Sequence, residues 1–247
     1  LDDIRKWIRD RLMGIVNGID CEGWNPKTDP QITKNYDTRN FWNGKKENKI
    51  ELQKRYGLPE NGDAFTLAIV SRLTDQKGLD LIDGVMDELA RRDINLIVLG
   101  SGDERYENMF RYYSRKYPNK IAARIGYDEE LSHLIYAGCD AFLVPSAFEP
   151  CGLTQLIALR YGSLPIVHEI GGLKDTVKPY NQYEGSGTGF SFKGYSSSEL
   201  LDRINHAEWL YNDNTTEWKA MAKRAMKEDW SWTNSSKKYE ALYDSLS

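Results

Sequence analysis

The sequence predicts an α/β fold with a doubly wound parallel sheet, and three features predict it. Short apolar runs recur from residue 65 onward, and each is followed by a stretch whose apolar residues keep helical spacing. The runs are apolar almost throughout (Phe65-Thr-Leu-Ala-Ile-Val70, Asn95-Leu-Ile-Val-Leu99, Ala141-Phe-Leu-Val144), as in strands buried on both faces. The turns that join run to helix concentrate glycine, proline and charge in two places, 71–80 and 145–154.

Taken in order, strands are expected at 65–70, 95–99, 121–125, 141–144, 164–168 and 189–192. A helix is expected over 77–92, with Leu81, Ile82, Val85 and Leu89 inward. Further helices are expected at 104–117, 129–137 and 153–161, with a short one at 173–177. Six strands alternating with helices make a full doubly wound domain. Three more helices follow, at 198–211, 216–227 and 233–246.

The first residues differ. Ile4, Ile8, Leu12 and Ile15 sit at helical intervals and predict a short amphipathic helix. Asn17-Gly-Ile-Asp20 and Trp24-Asn-Pro-Lys-Thr-Asp-Pro30 form a turn-rich segment, and 36–46 shows no period. A helix is expected over 47–56, closed by Gly57 and Pro59. The expected organisation is an arm at 1–62, a Rossmann-like domain at 63–212 and a helical tail at 213–247.

Composition narrows the function classes. A net charge of −4 argues against a nucleic-acid partner. No apolar run approaches the ~20 residues of a membrane helix, so no membrane partner is expected. Cys21, Cys139 and Cys151 lie far apart, and His133, His168 and His206 form no ligand pattern. Free thiols in a reducing, cytoplasmic compartment and no metal site are expected.

The chemistry concentrates where strands end. Glu149 follows the fourth strand, and the backbone N–H groups of Gly152, Leu153 and Thr154 open the next helix. Arg72 and Lys77 follow the first strand. In an open α/β sheet ligands bind at those carboxyl ends, and a helix start seats phosphate. Two cations, a carboxylate and free N–H groups suit a sugar diphosphate. Cations there stabilise charge that develops as the diphosphate leaves. Cys151 is expected to be a close-packed small residue, because no base histidine stands near it in sequence. Gly100-Ser-Gly102 lacks the third glycine of a dinucleotide loop, which argues against NAD.

Phe148-Glu-Pro-Cys-Gly-Leu-Thr-Gln155 and Ser71-Arg-Leu-Thr-Asp-Gln-Lys-Gly-Leu-Asp80 resemble the two signatures of bacterial glycogen synthases and plant starch synthases. The likeness runs over nearly the whole chain. It implies the second domain of a GT-B glycosyltransferase that passes glucose, with retention, from a nucleotide sugar to the non-reducing end of an α-1,4-glucan. ADP-glucose is favoured over UDP-glucose as donor, with no cofactor and no metal. Localisation would be cytoplasmic, or the plastid stroma in a plant. By resemblance Arg72 and Lys77 bind the diphosphate, Glu149 holds donor-glucose hydroxyls and supports the catalytic geometry, Tyr127 lies near the adenine, and Cys151, Gly152, Leu153 and Thr154 surround donor phosphate or sugar. Related retaining enzymes carry a second glutamate eight positions after the first, where this chain has Ile157. His168 stands where many relatives carry another polar residue, and reads as a satisfied buried histidine. Two rival readings remain open: a sucrose- or trehalose-related transferase of the same architecture, and a non-catalytic nucleotide- or sugar-binding module.

The family's Lys-x-Gly-Gly-Leu loop and glucan surface belong to a first domain, and neither is found in these residues. The 247-residue chain is therefore expected to fold but to elongate glucan little or not at all. Catalysis needs donor and acceptor held together, and a misplacement of about 1 Å can cost roughly a hundredfold. A glucan-elongation assay on the purified chain checks this, and robust elongation would contradict it.

Overall fold

The apolar runs become strands because each is buried along nearly its whole length. A computed structural model describes residues 13–246. Its strands are β1 (Phe65–Val70), β2 (Ile94–Gly100), β3 (Ile121–Ile125), β4 (Ala141–Val144), β5 (Leu164–His168) and β6 (Phe190–Phe192). They form one sheet in the order β3-β2-β1-β4-β5-β6, and every neighbouring pair is parallel. The order reverses between β1 and β4, where Leu67 stands beside Ala141 and Ala68 beside Phe142. In open α/β sheets ligands bind at such a switch point, outside the carboxyl ends of the strands.

The helices are α1 (Phe41–Tyr56), α2 (Leu79–Asp83), α3 (Met86–Ala90), α4 (Glu104–Lys116), α5 (Glu129–Gly138), α6 (Thr154–Arg160), α7 (Gly171–Thr176), α8 (Ser197–Asp213), α9 (Thr215–Met226) and α10 (Trp232–Asp244). α8 packs on β5 and β6, and α9 packs on α6 and α8. The expected amphipathic helix at Ile4, Ile8 and Leu12 lies outside the described residues, and Ile15, which is described, is not helical. Further on, Ile19 donates its N–H to the Trp230 carbonyl (2.8 Å) and Ser235 Oγ donates to the Val16 carbonyl (2.9 Å). These bonds join the start of the described chain to its last helix.

Two elements depart from the sequence reading. The single helix expected over 77–92 is instead a 3-10 turn (Asp75–Lys77) followed by α2 and α3. Gly78, at φ +69°, ends the turn, and a Cβ there would lie 2.0 Å from the Pro145 carbonyl oxygen. Between α2 and α3, Gly84 packs so closely on the start of α8 that a Cβ would lie 2.4 Å from Ser197 Oγ. Apolar spacing gave no sign of either break, because both lie at contacts with segments distant in sequence, the loop after β4 and the start of α8.

The second departure is α1, which begins at Phe41 rather than residue 47. Its buried face carries Lys45, Asn48, Lys49 and Gln53, so no apolar period marks it. Burial pushes the Lys45 ammonium down to about 7. Its Nζ nevertheless donates to the carbonyls of Tyr136 (3.2 Å), Ala137 (3.0 Å) and Tyr161 (3.3 Å), at the C-terminal ends of α5 and α6. Cations are favoured there, because helix ends leave carbonyls unpaired. Lys49 forms a buried ion pair with Asp140 (2.5 Å) and also donates to the Ala64 carbonyl and Tyr211 Oη.

Removing one member of a buried pair strands the other. Lys49→Met should therefore lower unfolding free energy by about 3–5 kcal/mol, read by chemical denaturation. A loss below about 1 kcal/mol would show that the pair behaves as a surface contact.

Candidate active site

The site is built where the loops after β1 and β4 meet. Lys77 closes the 3-10 turn after β1, and Glu149 lies in the loop after β4. Lys77 Nζ and Glu149 Oε2 are 2.5 Å apart, and both side chains are largely buried. Ser146 Oγ lies 3.5 Å from the same carboxylate oxygen. The loops are also joined by backbone: the Ala147 N–H donates to the Gln76 carbonyl (3.0 Å), and Gln76 Nε2 donates to the Phe148 carbonyl (2.9 Å). Two turns far apart in sequence are thus one unit.

A third loop supports them from behind. Gly172 N–H donates to the Glu149 carbonyl (3.0 Å). Gly171 has φ +46°, and a Cβ there would fall 2.2 Å from that same carbonyl oxygen, so the start of α7 lies flat on the Glu149 loop only as glycine. His168 is buried, with Nδ1 2.9 Å from the Ser146 carbonyl and Nε2 3.1 Å from the Lys193 carbonyl. It is buried, as the sequence suggested, and its ring lies between the Glu149 loop and the residue after β6.

The other predicted residues fall into place with differences. Arg72 is exposed, and its guanidinium makes no ion pair among the described residues. It does not touch Glu149 but lines a cavity of about 310 Å³ beside it. Tyr127 lines the same cavity, is 86% exposed, and donates its hydroxyl to Glu129 Oε2 (3.2 Å). This exposure rules out a packing role for its ring. Cys151 is half-buried and Leu153 is exposed. The N–H groups of Gly152, Leu153 and Thr154 donate to no protein group among the described residues. Thr154 Oγ1 reaches the Val70 carbonyl (3.4 Å), tying α6 to the end of β1.

The structure adds a contact that the sequence did not offer. The sequence treats Lys77 and Glu149 as acting on separate parts of a ligand. Here they are paired with each other, so a ligand must divide them or bind them together. Glu149 also does not cap α6, whose N-terminus has no side-chain cap bond.

The cavity runs past the carboxyl ends of β1, β2 and β3, and sequence reasoning missed most of its wall. Trp24, Tyr136, Ser132 and Ile157 line it. Ile157 makes this wall apolar. Trp24 comes from the turn-rich segment before α1. Behind it, buried Asp29 accepts hydrogen bonds from His133 Nδ1 (2.7 Å) and the Tyr161 hydroxyl (2.5 Å). Burial raises the Asp29 carboxyl, but these bonds and one from the Gln31 N–H outweigh burial and hold it below the ordinary carboxylate value. Among the described residues no group of three or more His, Cys, Asp or Glu could hold a metal ion, and no helix is long and apolar enough to cross a membrane.

A parallel sheet reversing at β1/β4, with an ion pair and a cavity at its carboxyl edge, defines a doubly wound domain of the GT-B glycosyltransferase type. The chain belongs to the glycosyl transferases group 1, whose family model matches residues 51–227. It is 54% identical over 246 residues to a glycogen synthase of Lachnospira eligens, covering 100% of this chain and 52% of that protein. A glycogen synthase of Bacillus anthracis is 48% identical over 246 residues, with 51% of its length covered. The chain spans about half the length of the curated relatives it matches. The catalytic domain of starch synthase IV from Arabidopsis thaliana, bound to ADP and acarbose, superposes with a TM-score of 0.89 at 33% identity, covering 98% of this chain and 50% of that one. Anabaena HepE in complex with UDP-glucose gives a TM-score of 0.66 at 20% identity over 94% of this chain and 57% of that one, and shows the shared fold alone.

The Asp29 carboxyl sets an acid limit. Its folded value lies below its unfolded value, so its contribution is complete above the ordinary carboxylate range and is lost as pH falls through the folded value. Melting temperature should therefore drop below about pH 4, and more gently in Asp29→Asn than in the parent. Parallel acid profiles of the two proteins would show that Asp29 contributes nothing.

Proposed function

We propose that this chain is the donor-binding half of a glycogen or starch synthase, binding ADP-glucose for retaining transfer of glucose to an α-1,4-glucan. The observation that carries the reading is the Lys77–Glu149 pair at the β1/β4 reversal, beside the cavity that Arg72 and Tyr127 line. The curated relatives named glycogen synthase and the ADP-bound starch synthase support it. On this reading residues 1–62 lead in from a first domain that carries the acceptor surface, 63–212 hold the donor and 213–247 form a helical tail.

The residues divide the work. The nucleoside enters the cavity, and the diphosphate lies between Arg72, Lys77 and the free N–H groups of Gly152, Leu153 and Thr154. Arg72 supplies a planar fork and Lys77 a compact charge. Donor phosphate draws Lys77 from Glu149 and leaves that carboxylate to accept hydrogen bonds from glucose hydroxyls. As the sugar–oxygen bond breaks, negative charge grows on the diphosphate, and the two cations stabilise it more than they stabilise the bound substrate. Glu149 holds the ring and the pair exchange couples donor entry to that grip. No metal is assigned a role.

Lys77→Ala should weaken ADP binding by roughly 10- to 150-fold, since a hydrogen bond to a charged group is worth about 1.5–3 kcal/mol. Glu149→Gln should bind ADP at least as well as the parent, because Lys77 is released from its partner. In the two-domain enzyme the same Glu149→Gln change should lower kcat with little change in donor KM. Calorimetry and steady-state kinetics check both, and a Glu149→Gln enzyme with normal turnover would overturn the assignment.

A further inference from the structure

We propose that Trp24 is the base-stacking wall of the nucleotide cavity, held by the buried Asp29–His133–Tyr161 cluster, so that the segment before α1 is itself part of the donor site. The inference rests on the functional reading above and adds which residue receives the base and what positions it.

Trp24 is half-buried and lines the cavity. Its indole stacks on the His133 ring with centroids 3.8 Å apart and planes 11° apart. Tyr136 and Tyr161 meet it edge-on, at 5.4 Å and 81° and at 6.3 Å and 74°. Three rings therefore fix the plane of a fourth. In this proposal the base stacks where the indole borders the cavity, in the offset arrangement aromatic pairs prefer.

The support reaches back into the same segment. Asp29, five residues after Trp24, takes its hydrogen bonds from His133 on α5 and from Tyr161 just after α6. The turn between them is closed by Thr28 and Asp29 N–H groups donating to the Asn25 carbonyl (3.0 and 2.8 Å) and by Asn35 Nδ2 donating to the Pro26 and Asp29 carbonyls (3.2 and 2.7 Å). A cluster that only fastened this segment would need no aromatic ring presented to the cavity. The volume of about 310 Å³ lies at the small end of ligand pockets and suits a nucleoside. The cavity is mainly apolar around Trp24, Tyr136, Val70, Leu99 and Ile157, which suits the face of a base rather than a phosphate or sugar. Trp24 touches the ligand in this proposal, while His133 and Asp29 are positioning residues.

The test compares ADP with inorganic pyrophosphate, which has no base, by calorimetry on the purified chain. Trp24→Leu should lose about 5- to 150-fold in ADP affinity, the range for one base on one aromatic side chain, with pyrophosphate binding unchanged. Trp24→Phe should recover most of the loss. His133→Leu should lower ADP affinity without changing that for pyrophosphate, and should reduce the quenching of tryptophan emission by ADP. If the parent binds ADP and Trp24→Leu binds it equally well, the inference is wrong and the functional reading stands. A Trp24→Leu protein that loses ADP and pyrophosphate alike would show a merely structural role and overturn the inference. A parent that binds neither compound would overturn the inference and the functional reading together.

Discussion

The reversal of strand order between β1 and β4 is the constraint on which the rest of the structure depends. Parallel strands need crossovers, and two sets of crossovers that wind in opposite directions from the middle leave a gap at their common edge. Nothing in the sheet itself fills that gap. The chain spans it with an ion pair, Lys77 from one side and Glu149 from the other, and with backbone bonds between the same loops. A buried ion pair rarely adds net stability, because removing two charges from water costs several kcal/mol per ion. Its place at the switch point is therefore better explained by what it prepares than by what it stabilises.

Glycine sets how closely the loops can approach. Gly78 lets the first turn lie against Pro145, and Gly171 and Gly172 let the start of α7 lie against Glu149 and Cys151. Contacts this short involve backbone atoms, which cannot give way as a side-chain end can. The Glu149 loop is consequently held from both sides, while Arg72, Tyr127 and Leu153 remain open to solvent. Rigid support beneath exposed groups is the arrangement expected of a site that must keep its geometry through a reaction.

The polar interior of α1 shows a different use of charge. Lys45 collects carbonyls at the ends of α5 and α6, and Lys49 pairs with Asp140 beside β4. The opposite ends of α5 and α6 face the cavity and the Glu149 loop. One helix outside the sheet thus anchors the two helices whose first turns border the site. The Asp29 cluster adds a second anchor from the same part of the chain, directly behind Trp24.

The sequence alone determined the strands closely, because burial on both faces demands an apolar run whatever the partners are. Four of the six strands, β1, β3, β4 and β5, begin and end where the runs do. It also located Arg72, Lys77, Glu149 and Tyr127 at strand ends, since strand and turn are local properties. Only the tertiary structure decided what depends on contacts between distant segments. The helix over 77–92 is broken at Gly78, against the loop after β4, and at Gly84, against the start of α8. The start of α1 could not be read because its inward face is lysine and amide, satisfied by carbonyls from elsewhere in the chain. Trp24 gave no signal in its turn-rich segment, for its stacking partner His133 is more than a hundred residues away. The pairing of Lys77 with Glu149 was likewise invisible: residue types and strand ends place both charges at one edge, but only the packing of two loops sets them 2.5 Å apart.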